Sequence, residues 1–162
     1  PVEGGLIGVG KFSSGATYNI IPSDAELEGT IRAFSSESRN KLANAVRSIA
    51  TNVASEYGAT VDINIEDICD PCTNPAETAS EVVNSAVKLV PQENVITNLD
   101  KRFGSDNFAD YSRKAPGTYV HVGSSDSACT SVAHHNEKFD LAEDSYSYAA
   151  ALAVQYTLDY LK

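Results

Sequence analysis

From Ala25 to Phe34, small or apolar residues (Ala25, Leu27, Gly29, Ile31, Ala33) alternate with polar ones (Glu26, Glu28, Thr30, Arg32). A two-residue period puts one set on each face of a strand, so this segment reads as a strand with one dry and one wet face. Ser35 or Ser36 can then cap a helix over about 37–57, where Leu42, Val46, Ile49, Val53 and Tyr57 recur at spacings of three and four, and Gly58 is a natural stop. A preceding strand is expected over 6–12, pairing antiparallel with the first. A third is expected where Val61, Ile63 and Ile65 alternate with Asp62, Asn64 and Glu66. Strand, strand, helix, strand is the later part of a ferredoxin-like α+β unit whose first strand and helix are missing. Such a sheet leaves an edge or an apolar face open, and a partner segment is expected to cover it.

After Asp67 the chain turns polar and carries Pro71 and Pro75, which marks a linker and divides the chain into residues 1–67 and 68–162. Asn74 is placed to cap the next helix, with Pro75 at its first position and Glu77 three residues after the cap, and that helix is expected to run to about Val90. A short strand near 95–97, a short helix after Ser105, a strand over 118–122 and a long helix from about Glu143 follow. That alternation predicts an α/β layer. Ala151, Val154, Leu158 and Leu161 are the expected buried stripe of the last helix, and the Ser-rich stretch from Gly123 to Ala133 has no period and reads as a loop.

Composition narrows the partners. Twelve basic against 22 acidic side chains give a formal charge of −10, with no concentrated basic patch, which argues against nucleic acid. No apolar run approaches the roughly 20 residues of a membrane-spanning helix, and the first residues have no secretory pattern, so no membrane is expected and the cytoplasm is the expected compartment. Cys69, Cys72 and Cys129 are an odd number and make no disulfide framework, which fits a reducing environment. Cys69 and Cys72 have the CxxC spacing of a redox pair or half a zinc knuckle, but without a second pair they read as loop cysteines. The start at Pro1 and the lack of any Met are expected of a piece of something longer.

Two places stand out for chemistry. Asn19-Ile20-Ile21-Pro22, leading to Gly29-Thr30-Ile31-Arg32, lies at the edge of the strand pair, and His134-His135 precedes Phe139 and Glu143 in a loop before the last helix. A neutral imidazole in a loop at a sheet end is a good metal ligand, although a loop histidine is more often polar surface, and either neighbouring ring can be the inward one.

Read together, Asn19-Ile20-Ile21-Pro22, Gly29-Thr30-Ile31-Arg32, Gly104-Ser105-Asp106-Asn107-Phe108, Pro116-Gly117 with Gly123, and His135-Asn136-Glu137-Lys138-Phe139 occur in the order seen in one family. In these elements the chain resembles the C-terminal part of the zinc-dependent aminoacylase, hippurate hydrolase and auxin-conjugate hydrolase family of amidohydrolases and metallopeptidases. Two departures are visible: Asp106-Asn107 stands where the family has Glu-Asp, and Glu137 where it has Pro.

The resemblance implies an α/β fold, with an incomplete ferredoxin-like α+β lid in residues 1–67 and the C-terminal portion of a metallopeptidase catalytic domain in 68–162. It implies that His135 is the last metal ligand and that Asn19 meets the substrate's carboxylate or scissile amide, with Arg32 either helping to bind substrate or serving only as a wet-face strand residue. The cofactor is then a divalent metal, zinc by family, as one or two ions in the complete enzyme. The substrate is an N-acyl amino acid or small peptide, cleaved at its amide by metal-activated water, and the lid makes a homodimer. The remaining ligands and the general-base glutamate belong to a missing N-terminal catalytic segment, so no catalytic residue is assigned here and this chain alone is expected to show no turnover.

Two other classes of function compete. The strand and helix surface of residues 6–66 suits a non-catalytic dimerisation or interaction module, and strand order alone allows a small-molecule-sensing ferredoxin-like domain.

Overall fold

The computed structural model describes residues 4–162. It is a mixed α/β chain: β1 (Gly5–Ser14), β2 (Ala25–Ala33), α1 (Ser36–Glu56), α2 (Ala76–Ala86), α3 (Phe108–Ser112) and α4 (Asp144–Tyr160), with a 3-10 turn at Gln92–Asn94. The chain divides into two compact units, one of Pro1–Pro71 with Lys101–Asp110, the other of Cys72–Asp100 with Tyr111–Lys162. The polypeptide therefore leaves the second unit for ten residues and returns, an excursion that a single division at residue 67 does not contain.

In the first unit β1 and β2 pair antiparallel from Gly5 opposite Ala33 to Ser14 opposite Ala25. The register shifts between Val9 and Lys11, so Gly10 is the extra residue of a bulge. Phe34 N–H donates to the Gly4 carbonyl at 3.0 Å and closes the open end of the hairpin. Helix α1 packs across the pair, and Gly5 is what lets it approach: a Cβ there would overlap the Leu42 side chain. The helix starts as its sequence predicts, with the Ser35 hydroxyl accepting from Ser38 N–H at 3.1 Å. It stops at Gly58, whose φ of 69° suits a residue without a side chain.

The buried stripe of α1 differs from expectation. Its inward face is Leu42, Ala43, Val46, Ala50 and Ala54, whereas Ile49, Val53 and Tyr57 are each more than half exposed. A two-stranded hairpin is narrow, and it covers a smaller arc of a helix than a full sheet would. The expected third strand is also corrected. Ile63 and Ile65 are half-buried while Asp62, Asn64 and Glu66 are exposed, so the two-residue alternation is real. Yet no backbone ladder forms there, because the only sheet among the described residues is β1–β2. What holds this returning segment is Arg39 on α1, which donates to Asp70 at 3.2 Å and the Cys69 carbonyl at 3.3 Å, with Asp67 3.4 Å from its Nε.

In the second unit α2 packs against α4 through small and polar residues, with Ser85 and Ser145 buried. Four sequence expectations change here. Asn74 does not cap α2: its side chain accepts from Tyr119 N–H at 2.8 Å and donates to the Tyr119 carbonyl at 2.9 Å. That amide does for the 118–122 segment what a neighbouring strand would do, and neither 118–122 nor 95–97 is in a sheet. Helix α2 ends at Ala86, and the chain reaches Val90 through turns. On α4, Ala151 is half-buried, but Val154, Leu158 and Leu161 face outward, each more than half exposed. The face turned to α2 carries Tyr156 and Asp159, which find partners in Glu81 and Ser85 on α2, while Gln155 donates to Asp159 on the same helix. Among the described residues no helix is long and apolar enough to cross a membrane.

Candidate functional site

Asn19 sits in a turn within the 15–24 connection between β1 and β2. The base of that loop is tied by the Ser14 hydroxyl donating to the Asp24 carbonyl at 2.8 Å. Gly15, at φ 76°, begins the turn in a conformation that other residues adopt at a cost. The tip leaves Tyr18, Ile20 and Ile21 exposed around Asn19, a run of apolar surface on a polar turn. Exposed clusters of this kind mark contact surfaces, and an amide among them has two donors and an acceptor to offer.

Arg32 lies on β2 opposite Leu6 and is half-buried. It does not simply lie along a wet strand face: its Nη1 donates to the Phe103 carbonyl. The ring of Phe103 stacks on Phe34 with centroids 4.3 Å apart and planes 13° apart, and the Lys101 ammonium stands 5.6 Å over the Phe34 ring. Sequence reading missed Phe103 entirely. Nothing in its own neighbourhood marks it; the signal lies in Arg32 and Phe34, two residues apart and so on one side of the strand.

His135 is exposed in a turn of the second unit, and its φ of 62° is unusual for a residue with a side chain. His134 is the ring that makes a contact, edge-on to Phe139 with centroids 4.8 Å apart. The two histidines are thus distinguished: one is packed on Phe139 and the other is presented. Asn136 fixes the following turn, accepting from Lys138 N–H at 2.9 Å and, through its carbonyl, from Phe139 N–H at 3.0 Å. Further upstream Ser127, Thr130 and Asp126 knit the Ser-rich loop by local hydrogen bonds, and Ala142 N–H donates to the Ser124 carbonyl at 2.8 Å.

Among the described residues no three of His, Cys, Asp and Glu gather as a metal centre would require. A lone exposed imidazole such as that of His135 can supply one ligand at most, which is not a closed site. The CxxC pair does not build a zinc knuckle either, and among the described residues no disulfide joins the three cysteines.

A polar cluster that sequence reading did not single out lies between α2 and α4, where Glu81, Ser85, Lys88, Tyr156 and Asp159 line a cavity of about 360 Å³. Lys88, with Gln155 and Ser85, holds the Asp159 carboxyl well below the usual carboxylate range. The hydrogen bond to Glu81 pushes the Tyr156 hydroxyl up. Every one of these groups has a partner within the cluster, so it reads as a helix-to-helix fastening.

No protein-family model matches the chain. It is 31% identical over 146 residues to thermostable carboxypeptidase 1 of Saccharolobus solfataricus, an alignment covering 89% of this chain and 36% of that protein. It is 28% identical over 166 residues to IAA-amino acid hydrolase ILR1-like 4 of Arabidopsis thaliana, covering 99% of this chain and 38% of the relative. Its fold matches part of a crystal structure of a dinuclear metal-binding peptidase of the M20 family from Bacillus subtilis, with a TM-score of 0.77 at 24% identity over 98% of this chain and 41% of that one. The resemblance read from the motifs is therefore borne out: the chain is homologous to part of these carboxypeptidases and amidohydrolases. It spans well under half the length of the relatives it matches.

Proposed function

We propose that this chain is part of a metal-dependent amidohydrolase that cleaves the amide bond of N-acyl amino acids or small peptides. The observation that carries this reading is the similarity, along 89–99% of the chain, to carboxypeptidase and amino-acid-conjugate hydrolase sequences. In this reading residues 1–67 are the larger part of a lid and 68–162 the C-terminal part of the catalytic domain. His135, presented on its turn beside the packed His134, is one protein ligand to a divalent metal, zinc by the chemistry of an imidazole-bearing hydrolytic site.

When bound, the metal supplies an activated water and polarises the scissile carbonyl. This chain's own groups act around that chemistry. The Asn19 amide, at the tip of the hairpin loop, holds the substrate's carboxylate or the developing oxyanion, and the surrounding Ile20 and Ile21 exclude water from it. Arg32 supports the same end of the substrate from β2, with one guanidinium nitrogen held by the Phe103 carbonyl so that its part is indirect. The exposed apolar residues of the first unit, Phe12, Leu27, Ile49 and Val53 among them, suit burial against a second copy, making the lid a homodimer contact. Three cysteines that form no disulfide suit the reducing cytoplasm.

The test is metal content and hydrolysis of an N-acetyl amino acid panel by the natural polypeptide that carries this sequence, wild type and His135→Ala. Zinc that co-purifies with the wild type and falls with the variant, together with activity, supports the reading. Equal metal content in both, or no amide hydrolysis by metal-loaded wild type, sinks it.

A further inference from the structure

Arg32 and Phe34 are two residues apart at the end of β2, and the strand period puts them on one side of the hairpin. Both take hold of the same residue: Arg32 Nη1 donates to the Phe103 carbonyl, and the Phe34 ring stacks on the Phe103 ring at 4.3 Å. Lys101, two residues before Phe103, completes the grip with its ammonium 5.6 Å over the Phe34 ring. One main-chain oxygen, one ring and one cation are thus fixed by Arg32 on β2 and by Phe34, the residue just past its end. The segment so held, Lys101–Asp110, is the excursion that clusters with the first unit although the chain on both sides belongs to the second.

We propose that Arg32 is a positioning residue: it straps Lys101–Asp110 to the hairpin and so sets the Gly104–Phe108 element, rather than serving chiefly as a ligand for substrate. The inference deepens the hydrolase reading in its kinetic arm and stands apart from it in its structural arm. The half-buried guanidinium is already engaged with a carbonyl, and the Phe34 ring stacks on the same residue. The strap then continues into a local turn in which Asp106 Oδ1 accepts from Phe108 N–H at 2.8 Å and starts α3. Freeing Phe103 releases that turn from its fixed end.

The test compares wild type, Arg32→Gln, Arg32→Lys and Phe103→Leu in the natural polypeptide, by amide hydrogen exchange of peptides covering 101–110 and by steady-state hydrolysis of an N-acetyl amino acid. In Arg32→Gln, exchange in 101–110 is expected to rise about tenfold, the scale of one lost hydrogen bond. Arg32→Lys, whose charged donor sits on a stem longer than that of glutamine and can still reach the carbonyl, restores most of the protection. Phe103→Leu, which keeps the carbonyl and removes the stack, loosens the same peptides. The kinetic signature is a fall in kcat shared by Arg32→Gln and Phe103→Leu with KM little changed. Unchanged exchange in Arg32→Gln overturns the proposal, as does a loss confined to KM in Arg32→Gln that Phe103→Leu does not reproduce. If no variant and no wild type hydrolyses the substrate, the hydrolase reading fails while the exchange result still decides the strap.

Discussion

The Ser85 hydroxyl on α2 donates to the Asp159 carboxylate on α4 at 2.8 Å, and Ser85 is 1% exposed. Asp159 gathers further donors around the same carboxylate, Lys88 at 2.7 Å and Gln155 at 3.0 Å. A small hydroxyl at the closest point of two helices, with a carboxylate satisfied around it, lets their backbones approach without stranding a polar atom. This is why α4 turns its polar face to α2.

The fastening has a pH dependence with a definite sign. Lys88, then Gln155 and Ser85, stabilise the ionised carboxylate and depress its folded-state pKa. Between that value and the unfolded carboxylate value near about 4, the unfolded chain binds more protons, so stability rises with pH there. The contribution is complete above pH about 5 and is lost as pH falls through the folded value. Urea midpoints of wild type and Asp159→Asn should differ at pH 7 and draw together toward pH 3. A constant gap across that range would show that the carboxylate's charge has no part in the fastening.

Asn74 shows a side chain standing in for a strand. Because its amide meets both main-chain groups of Tyr119, Asn74→Ala leaves a donor and an acceptor of the 118–122 segment to water. The expected loss is about 1 kcal/mol, since the site is exposed and water compensates in part. Asn74→Asp keeps the acceptor for Tyr119 N–H but sets a carboxylate against the Tyr119 carbonyl, and should be no better than alanine. A denaturation midpoint unmoved by Asn74→Ala would remove Asn74 from the account of this segment.

Helix α1 offers a check at each end. Ser35→Ala removes the oxygen that accepts from Ser38 N–H and should cost about 1 kcal/mol. Gly58→Ala forces a side chain into a φ of 69° and should cost about the same. Circular dichroism melts would register both as lower midpoints, and a neutral Ser35→Ala would mean that the cap is replaced by solvent.

These two ends of α1 were legible in the sequence because capping and stopping depend on the residue itself and a neighbour or two. So were both strands of the hairpin, the start of α4 and the turn-rich loop from Gly123 to Ala133. What was not legible depends on what lies alongside. Ile49, Val53 and Tyr57 have the spacing of a core stripe, yet a two-stranded hairpin covers only the alanine side of the helix. Val61–Ile65 has the alternation of a strand and keeps it in its exposure pattern, but a ladder needs a neighbour. On α4 the apolar spacing predicts the wrong buried face, because the α2 partners of Tyr156 and Asp159 sit more than 70 residues away in sequence. Motif order singles out Asn19, Arg32 and His135 as candidates, while the Phe103 carbonyl that engages Arg32 carries no local mark.

His135 separates backbone from chemistry. Its φ of 62° places a side-chain-bearing residue in the left-handed region, a conformation that costs roughly 1 kcal/mol and is retained where a function requires that side chain. His135→Gly relieves the backbone and removes the imidazole, while His135→Ala removes the imidazole and keeps the strain. Glycine also loses more freedom on folding, so the gain over alanine is partly offset and should come to about 0.5–1 kcal/mol. If His135 is a metal ligand, both variants of the natural polypeptide lose metal and activity alike, and only their melting points differ. If the residue serves the turn alone, His135→Gly melts no lower than wild type and binds metal as wild type does. Melting curves alongside metal content for the pair therefore separate the two roles, and retention of metal by the glycine variant would strike His135 from the site.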